Sequence, residues 1–253
     1  MGSLTIAAIV FACTFGGALL GIWLRSILPE SHLSSDSKDV VKMGTGLVAT
    51  LSALVLGLLI ASAKGSFDAH RTGIQQLSTN LILLDRSLKF YGPETKPIRE
   101  NLASTVVLVL DQHWPQDGSK VIGLDNQEIS DRAGALIVAI QELAPRTDAQ
   151  KSIQSQALGI TADLARTRWL LSHADESSIP GIFLGVLIFW LAVLFISFGL
   201  FSPGNATVVT VLFICALSLA GALFLIVELD QPFHGLIQMS SKPLRDALVQ
   251  LGR

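Results

Sequence analysis

The sequence contains few charged residues: 15% of its 253 residues are Asp, Glu, Lys or Arg, whereas a soluble domain of this size carries about 25%. It has only two cysteines and one tyrosine, while half of its residues are hydrophobic and its mean hydropathy is +0.56. This composition excludes a disordered chain, a disulfide scaffold and an ordinary cytosolic enzyme. The net charge of −2 argues against a nucleic-acid partner.

Motifs of common enzymes and metal sites are also missing from the sequence. There is no P-loop, GxGxxG, GxSxG or CxxC motif, and the five histidines are scattered without a metal-binding spacing. Cys13 and Cys215 lie in apolar segments, so we interpret them as small packing residues. We therefore predict that the protein is not an enzyme and has no catalytic residue, metal or cofactor.

Four segments of the sequence contain no charged residue at all. A helix needs about 20 apolar residues to cross a bilayer core, and each segment meets this length. The first segment lacks the basic start and cleavage site of a signal peptide, so we expect it to be retained. The four segments are 5–24, 44–63, 179–201 and 206–227. The sequence thus predicts an all-α integral membrane protein with four transmembrane helices in two hairpins, in contact with the lipid bilayer.

Basic residues near the ends of these spans predict their orientation. We expect a transmembrane hairpin at 1–63, a helical bundle at 64–178, a second hairpin at 179–229 and a tail at 230–253. Lys and Arg accumulate on the cytoplasmic side of membrane proteins. One side would carry Lys64, Arg71, Arg166, Arg168, Lys242 and Arg245, and the other only Arg25, Lys38 and Lys42. The central bundle, the tail and both termini are therefore predicted to be cytoplasmic.

The central region begins with a heptad-like apolar pattern. Its members recur every three or four residues, as one face of a helix requires: Phe67, His70, Ile74, Leu77, Leu81, Leu84, Leu88 and Tyr91. No proline separates this seam from the second span, which predicts one long helix for both. The seam fits either core packing within one subunit or a coiled coil between subunits.

Three further amphipathic helices are predicted, each with apolar residues on one face. They centre on Ile98–Val109, Ile129–Leu143 and Ile153–Leu171, with capping boxes at Asp125/Glu128 and Thr147/Gln150. Together with the seam helix they form an antiparallel four-helix bundle. A short helix at Leu244–Leu251 is expected to dock on the bundle or on the membrane surface.

Small residues recur along the second span at the spacing that is typical of helix contacts. The stripe consists of Gly46, Thr50, Ala53, Gly57 and Ala61, next to a mildly polar face of Thr45, Ala49 and Ser52. Such a helix is typical of a pore lining, with Leu56 or Leu59 as a hydrophobic constriction. Tight packing within one four-helix unit explains the pattern equally well. Similar small pairs, Gly17/Gly21, Gly181/Gly185 and Ser218/Gly221, favour packing faces in the other spans.

Acidic residues stand at the end of the fourth span, where a charge is costly unless it is paired or hydrated. These membrane-edge charges are Glu228 and Asp230, and Lys64 marks the matching end of the second span. We expect Glu228 to pair with Lys64 or Arg245 and to fix the turn into the tail. An intramembrane enzyme or transporter that uses Glu228 is the functional alternative.

Two segments resemble signatures of the bacterial bestrophin-like family. The first is Thr50–Leu59, TLSALVLGLL, leading to Ser66-Phe67-Asp68. The second, more specific segment is Glu228–Ile237, ELDQPFHGLI, followed by Ser240-Ser241 and Pro243-Leu244. The resemblance covers nearly the whole chain and implies kinship with bestrophins, which are pentameric ion channels with four spans per subunit, a cytoplasmic helical domain and a pore lined by the second span. By this resemblance Thr50, Ser52 and Leu56 are candidate pore positions.

Two functions follow as hypotheses. The leading one is a homo-oligomeric channel for inorganic ions in the bacterial inner membrane. The alternative is a membrane-anchored helical scaffold or sensor without a pore, in which the seam residues mediate assembly. The second span lacks the acidic calcium clasp and the phenylalanine-rich neck of animal bestrophins, so the resemblance carries over neither calcium gating nor an ion selectivity.

Overall fold

The computed structural model describes residues 2–29, 35–114, 127–173, 181–230 and 237–251. In these ranges the chain forms eight α-helices and no strand, which confirms the predicted all-α class. The helices are α1 (Ser3–Ile27), α2 (Ser35–Tyr91), α3 (Lys96–His113), α4 (Gln127–Gln141), α5 (Asp148–His173), α6 (Gly181–Phe201), α7 (Ala206–Leu229) and α8 (Lys242–Gln250), with a 3-10 turn at Pro93–Thr95 before α3.

Helices α1, α2, α6 and α7 are long and apolar enough to cross a membrane. They contain the charge-free segments predicted from the sequence, although the third segment begins two residues before α6, outside the described residues. The second span and the seam lie in one helix of 57 residues, because neither proline nor a glycine turn interrupts them.

The chain divides into two compact units. The span unit comprises residues 1–66 and 177–231, and the bundle unit comprises 67–176 and 232–253. Helix α2 contributes its first part to the span unit and its second part to the bundle unit. The C-terminal helix α8 thus belongs with the bundle.

In the span unit, α1 packs against α6 and α7. Two apolar clusters hold these helices together, one around Val10, Leu187 and Leu223 and the other around Ala18 and Phe195. The Arg25 guanidinium donates a hydrogen bond to the Ser202 carbonyl oxygen beyond the end of α6. Asn205 caps α7 by accepting a hydrogen bond of 2.9 Å from the backbone N–H of Val208.

Both cysteines correct an expectation, because Cys13 and Cys215 are exposed on the span unit. They do not pack inside the subunit. A cysteine in an apolar helix suits a buried position and a lipid-facing or partner-facing position equally, so composition alone does not distinguish the two.

Among the described residues, the bundle unit has one large apolar cluster, built from α2, α3, α4, α5 and α8. Ile74, Leu81, Leu84 and Leu88 of the seam are buried in it, and Phe67 and Leu77 are half-buried and pack against it. The two remaining seam residues, His70 and Tyr91, are also buried. Arg99 of α3 forms a bidentate ion pair with the buried Asp85 of α2, at 2.7 and 3.0 Å. This hydrogen bond raises the pKa of Arg99 above its usual value, although burial acts in the opposite direction.

Side-chain hydrogen bonds satisfy backbone groups at the helix ends of the bundle. Gly92 has φ +148°, a conformation that favours glycine, and Thr95 donates to the Leu88 carbonyl at 2.6 Å. Gln154 of α5 donates to the carbonyl oxygens of Ile140 and Leu143 at 2.8 and 2.9 Å, which satisfies the C-terminal end of α4.

The two predicted capping boxes differ in outcome. Thr147 accepts a 3.2 Å hydrogen bond from the backbone N–H of Gln150 at the start of α5, as expected. Asp125 lies outside the described residues, so the capping box with Glu128 stays a prediction, and Glu128 also pairs with Arg132 at 3.0 Å. The predicted tail helix forms as α8 and buries Leu244 and Ala247 against the bundle.

Candidate pore-lining helix

One side of α2 packs into the span unit. Ser52, Leu59 and Ala63 are all buried there, and Leu59 and Ala63 join the cluster around Val10, Leu187 and Leu223. At about 100° per residue these three positions lie within about 40° of each other on the helix. This side of α2 is the inner one and is unavailable to a pore or to another subunit.

The opposite side of α2 carries the small-residue stripe, and all its members are exposed: Gly46, Thr50, Ala53, Gly57 and Ala61. They fall within about 80° of each other on the helix. Among the described residues, no atom lies within 4 Å of a Cβ added at Gly46 or at Gly57. The stripe is therefore not covered by another span of the same subunit, and intrasubunit packing does not explain it.

A leucine face adjoins the stripe on the exposed half of α2. It consists of Leu47, Leu51, Leu54 and Leu58, and the last two are 71% and 66% exposed. The centres of the two faces are about 90° apart. The exposed half of α2 thus presents a small, weakly polar surface beside a bulky apolar one.

Hydroxyl groups give the helix its polarity without a charge. Thr50 donates to the Gly46 carbonyl at 3.0 Å, Thr45 donates to Val41 at 2.8 Å, and Ser52 donates to Val48 at 2.8 Å. Each hydroxyl proton is used within the helix, so the oxygen retains lone pairs that can accept from water or face a cation. At Thr50 these lone pairs lie on the exposed stripe.

The predicted pore residues therefore fall into three groups by burial. Thr50, Ala53 and Gly57 are exposed on the stripe, whereas Thr45, Ala49 and Leu56 are half-buried between the stripe and the inner side of the helix. Ser52 and Leu59 are buried in the subunit. Sequence periodicity places all eight on one helix, but it does not tell which side of that helix the other spans cover.

The small residues of the other spans also separate into two groups. A Cβ at Gly21 would overlap the Ile196 carbonyl oxygen of α6 and lie 2.8 Å from the Leu200 nitrogen. Gly199 of α6 is equally tight, because its Cβ would overlap the Ala18 carbonyl oxygen of α1. Gly181, Gly185 and Gly221 have open space among the described residues. Sequence reasoning missed Gly199, since the residues four positions before and after it are Phe195 and Pro203 and its neighbour at three-residue spacing, Ser202, lies beyond the end of α6.

The membrane-edge charges occupy different environments. Glu228 is buried at the end of α7, with 1% of its surface exposed, whereas Lys64 is exposed and Asp230 is half-buried. Arg245, one expected partner of Glu228, uses its Nε to donate to the Ser241 hydroxyl at 2.9 Å. Pairing of Glu228 with Lys64 remains a prediction. In the described part of the chain, no group of three or more His, Cys, Asp or Glu side chains is placed to hold a metal.

Comparisons with known proteins agree on one family. A family model described as a Bestrophin-like domain matches residues 12–244. Two crystal structures of single-substitution variants of a bacterial bestrophin homologue from Klebsiella pneumoniae share the fold, with TM-scores of 0.65 and 0.63. Each is 14% identical in sequence, and each match covers 94% of this chain and 98% of the homologue. No curated protein sequence matches the chain.

Proposed function

Because the chain belongs to the bestrophin-like family, we propose that it is a homo-oligomeric ion channel whose pore is lined by the exposed stripe of α2. The family and fold are those of ion channels. The proposal includes a location in the bacterial inner membrane with the bundle on the cytoplasmic side, and a pentameric ring, as the family resemblance implies.

The observation that carries the proposal is the exposure of Gly46, Thr50, Ala53 and Gly57. Small residues in a membrane helix allow close approach of another backbone or leave room for water and ions. In α1 and α6 glycines serve close approach within the subunit. On α2 no other described span approaches the glycines, so their function must involve something outside the subunit.

The two exposed faces of α2 fit the geometry of a ring. Each subunit in a ring presents one face to the axis and another to its neighbour. We assign the stripe to the axis, because its hydroxyl and backbone groups tolerate water. We assign the leucine face to the neighbour, because leucines at 39–71% exposure gain packing contacts there. Leu56 lies about 100° from the centre of the stripe and packs against the span cluster, so it is not assigned to the axis.

The pore-free scaffold loses its main support. It required the seam from Phe67 to Leu88 for assembly between subunits, but those residues pack in the core of the chain's own bundle. The seam is therefore not available as an intersubunit coiled coil unless the bundle opens.

Cysteine accessibility tests the assignment of the faces. Cys13 and Cys215 are exposed and must first be replaced by alanine. In that background T50C and G57C should react with a charged, membrane-impermeant thiol reagent and lose current in planar bilayers. L54C and L58C are the matched controls at neighbouring positions of the same helix, and they should react slowly and keep their current.

Two results would overturn the proposal. If a well-folded oligomer carries no current in planar bilayers, the protein is not a channel. Fast modification of L54C and L58C, with T50C and G57C protected, would place the leucine face on the axis and the stripe at the subunit interface.

A further inference from the structure

The bundle unit contains a cavity of about 120 Å³. Its walls come from α2, α3, α4, α5 and α8, and they are almost entirely apolar, with Leu81, Leu102, Leu136 and Leu164 among the lining residues. Protein cores normally leave few voids larger than a water molecule. A water in such a void would need two to four polar partners, and these leucines offer none. The cavity is therefore suited to an apolar occupant.

Two arginines lie at the wall of the cavity, and their hydrogen bonding differs. Arg132 is neutralised by Glu128 at 3.0 Å and also donates to the Ser104 hydroxyl at 3.4 Å. Arg168 donates from Nη2 to the Ser130 hydroxyl at 3.1 Å. Its Nη1 is shielded from solvent and has no hydrogen-bond acceptor among the described residues.

An unsatisfied N–H group of a charged guanidinium is costly to bury. Within the described ranges, Arg168 also has no carboxylate within ion-pair distance, in contrast to Arg132 and Arg99. Among the described residues, the cavity wall thus carries one positive charge without a carboxylate partner and with an N–H donor available. A negatively charged hydrogen-bond acceptor would both accept from the Nη1 group and compensate the charge of the guanidinium.

We propose that this cavity binds a small organic anion, namely an aliphatic or aromatic monocarboxylate whose acid group accepts a hydrogen bond from Arg168 and whose apolar part fills the space between the leucines. An apolar cavity of about 150 Å³ holds one benzene molecule. A volume of 120 Å³ therefore suits roughly five carbon atoms. This site lies within the bundle unit and does not depend on the proposed pore.

The walls also predict selectivity among carboxylates. Each methylene group that enters the cavity should tighten binding about fourfold, up to the length that the cavity accommodates. Longer chains must leave the cavity or displace its walls, so affinity should rise from propionate to pentanoate and then level off or fall. An amine of the same length would place a positive charge beside Arg168 and should not bind.

Trp114 lines the cavity and provides a direct signal. The full chain in lipid nanodiscs is titrated with 5-bromopentanoate, whose bromine quenches the fluorescence of a tryptophan in contact with it. We expect saturable quenching that disappears in W114F. Quenching by probe dissolved in the lipid would instead be unsaturable and would persist in W114F.

Three variants test the two halves of the site. R168Q should weaken binding at least tenfold because a charge-assisted hydrogen bond is lost, and A133L should abolish it because Ala133 lines the cavity and leucine fills it. R86Q removes an exposed arginine of the same bundle outside the cavity and should bind normally. A melting curve of each variant establishes that it is folded, and R168K provides a charge-retaining replacement if R168Q is not.

The outcomes separate clearly. Saturable quenching that is weakened by R168Q and lost in A133L supports the proposal. Equal affinity for 5-bromopentanoate and 5-bromopentan-1-ol, unchanged by R168Q, would overturn the role of Arg168. A ligand with a millimolar Kd nearly saturates its site at a concentration of about 10 mM. If the probe shows no saturable quenching up to that concentration, the proposed site is wrong.

Discussion

Helices α1 and α2 carry the same sequence feature, small residues at four-residue spacing, but use it in different ways. Gly21 of α1 touches the backbone of α6 so closely that a methyl group would not fit. Gly57 of α2 faces open space in the described structure. Glycine spacing therefore predicts that something approaches a membrane helix closely, but it does not tell whether the approaching group belongs to the same chain.

The forces that associate helices in lipid explain the close contact made by α1. Lipid tails are as apolar as leucine, so packing and backbone proximity drive association of helices in a bilayer more than the hydrophobic effect does. The face of α1 makes this close contact inside the subunit. The stripe of α2 makes no such contact among the described residues, and in the proposed ring it faces the water of the pore while the leucine face packs against the neighbour.

The largest effect is expected where α1 and α6 touch. Gly21→Ala and Gly199→Ala each place a Cβ on a carbonyl oxygen of the facing helix, so the helices must separate. Overpacking of this kind costs about 3 kcal/mol or more. We expect little folded protein in detergent, as measured by size-exclusion yield and by thermal melting followed by circular dichroism. Near-normal folding of both variants would show that the α1–α6 contact is looser than the structure has it.

The second largest effect should appear at Gly57, and it should affect conduction instead of folding. Gly57→Leu adds a bulky side chain to the stripe where the subunit has open space. The variant should therefore fold and assemble with near-normal yield while its single-channel current is lost. Leu58→Ala, one position away on the leucine face, serves as the control and should conduct. If Gly57→Leu instead disrupts the oligomer and spares the subunit, the stripe lies between subunits.

The sequence was sufficient to predict the helices but not their sides. Charge-free length identifies each span, and the absence of proline between Ala63 and Phe67 predicts the continuous α2. The seam from His70 to Leu88 identifies a buried face, yet its pattern is the same for a bundle core and a coiled coil. Only the positions of α3, α4, α5 and α8 show that this chain's own helices cover it.

For the candidate pore-lining residues too, the sequence predicts the helix but not which side of it is exposed. Ser52 and Thr50 are both small hydroxyl residues of one span, and periodicity alone gives them equal standing. Ser52 is buried because α2 turns that side toward the cluster around Leu187 and Leu223, whereas Thr50 lies almost opposite. Gly199 was missed for the opposite reason. It is a single glycine in the sequence, and only the close approach of the Ala18 backbone of α1 in the structure identifies it as a packing residue.

A charge at the end of the stripe should have a moderate effect. Lys64 is exposed and lies in the same sector of α2 as Gly46 and Gly57. A ring of such residues sets the local potential at the end of a pore. Lys64→Glu should shift the reversal potential in a salt gradient toward cation preference without loss of current, and Lys38→Glu on the same helix is the control. An unchanged reversal potential would place Lys64 away from the conduction path.

The smallest effect is expected at Gly185 of α6. This glycine fits the four-residue spacing with Gly181 but has open space around its Cβ in the described structure, in contrast to Gly199 on the same helix. In a helix interior, alanine is favoured over glycine by about 1 kcal/mol where nothing obstructs the methyl group. Gly185→Ala should therefore leave the melting temperature unchanged or raise it by a few degrees, while Gly199→Ala lowers it strongly. A marked loss of oligomer in Gly185→Ala, with the subunit still folded, would reveal that α6 also provides a close contact between subunits, and the contrast between α1 and α2 would then extend along a single helix.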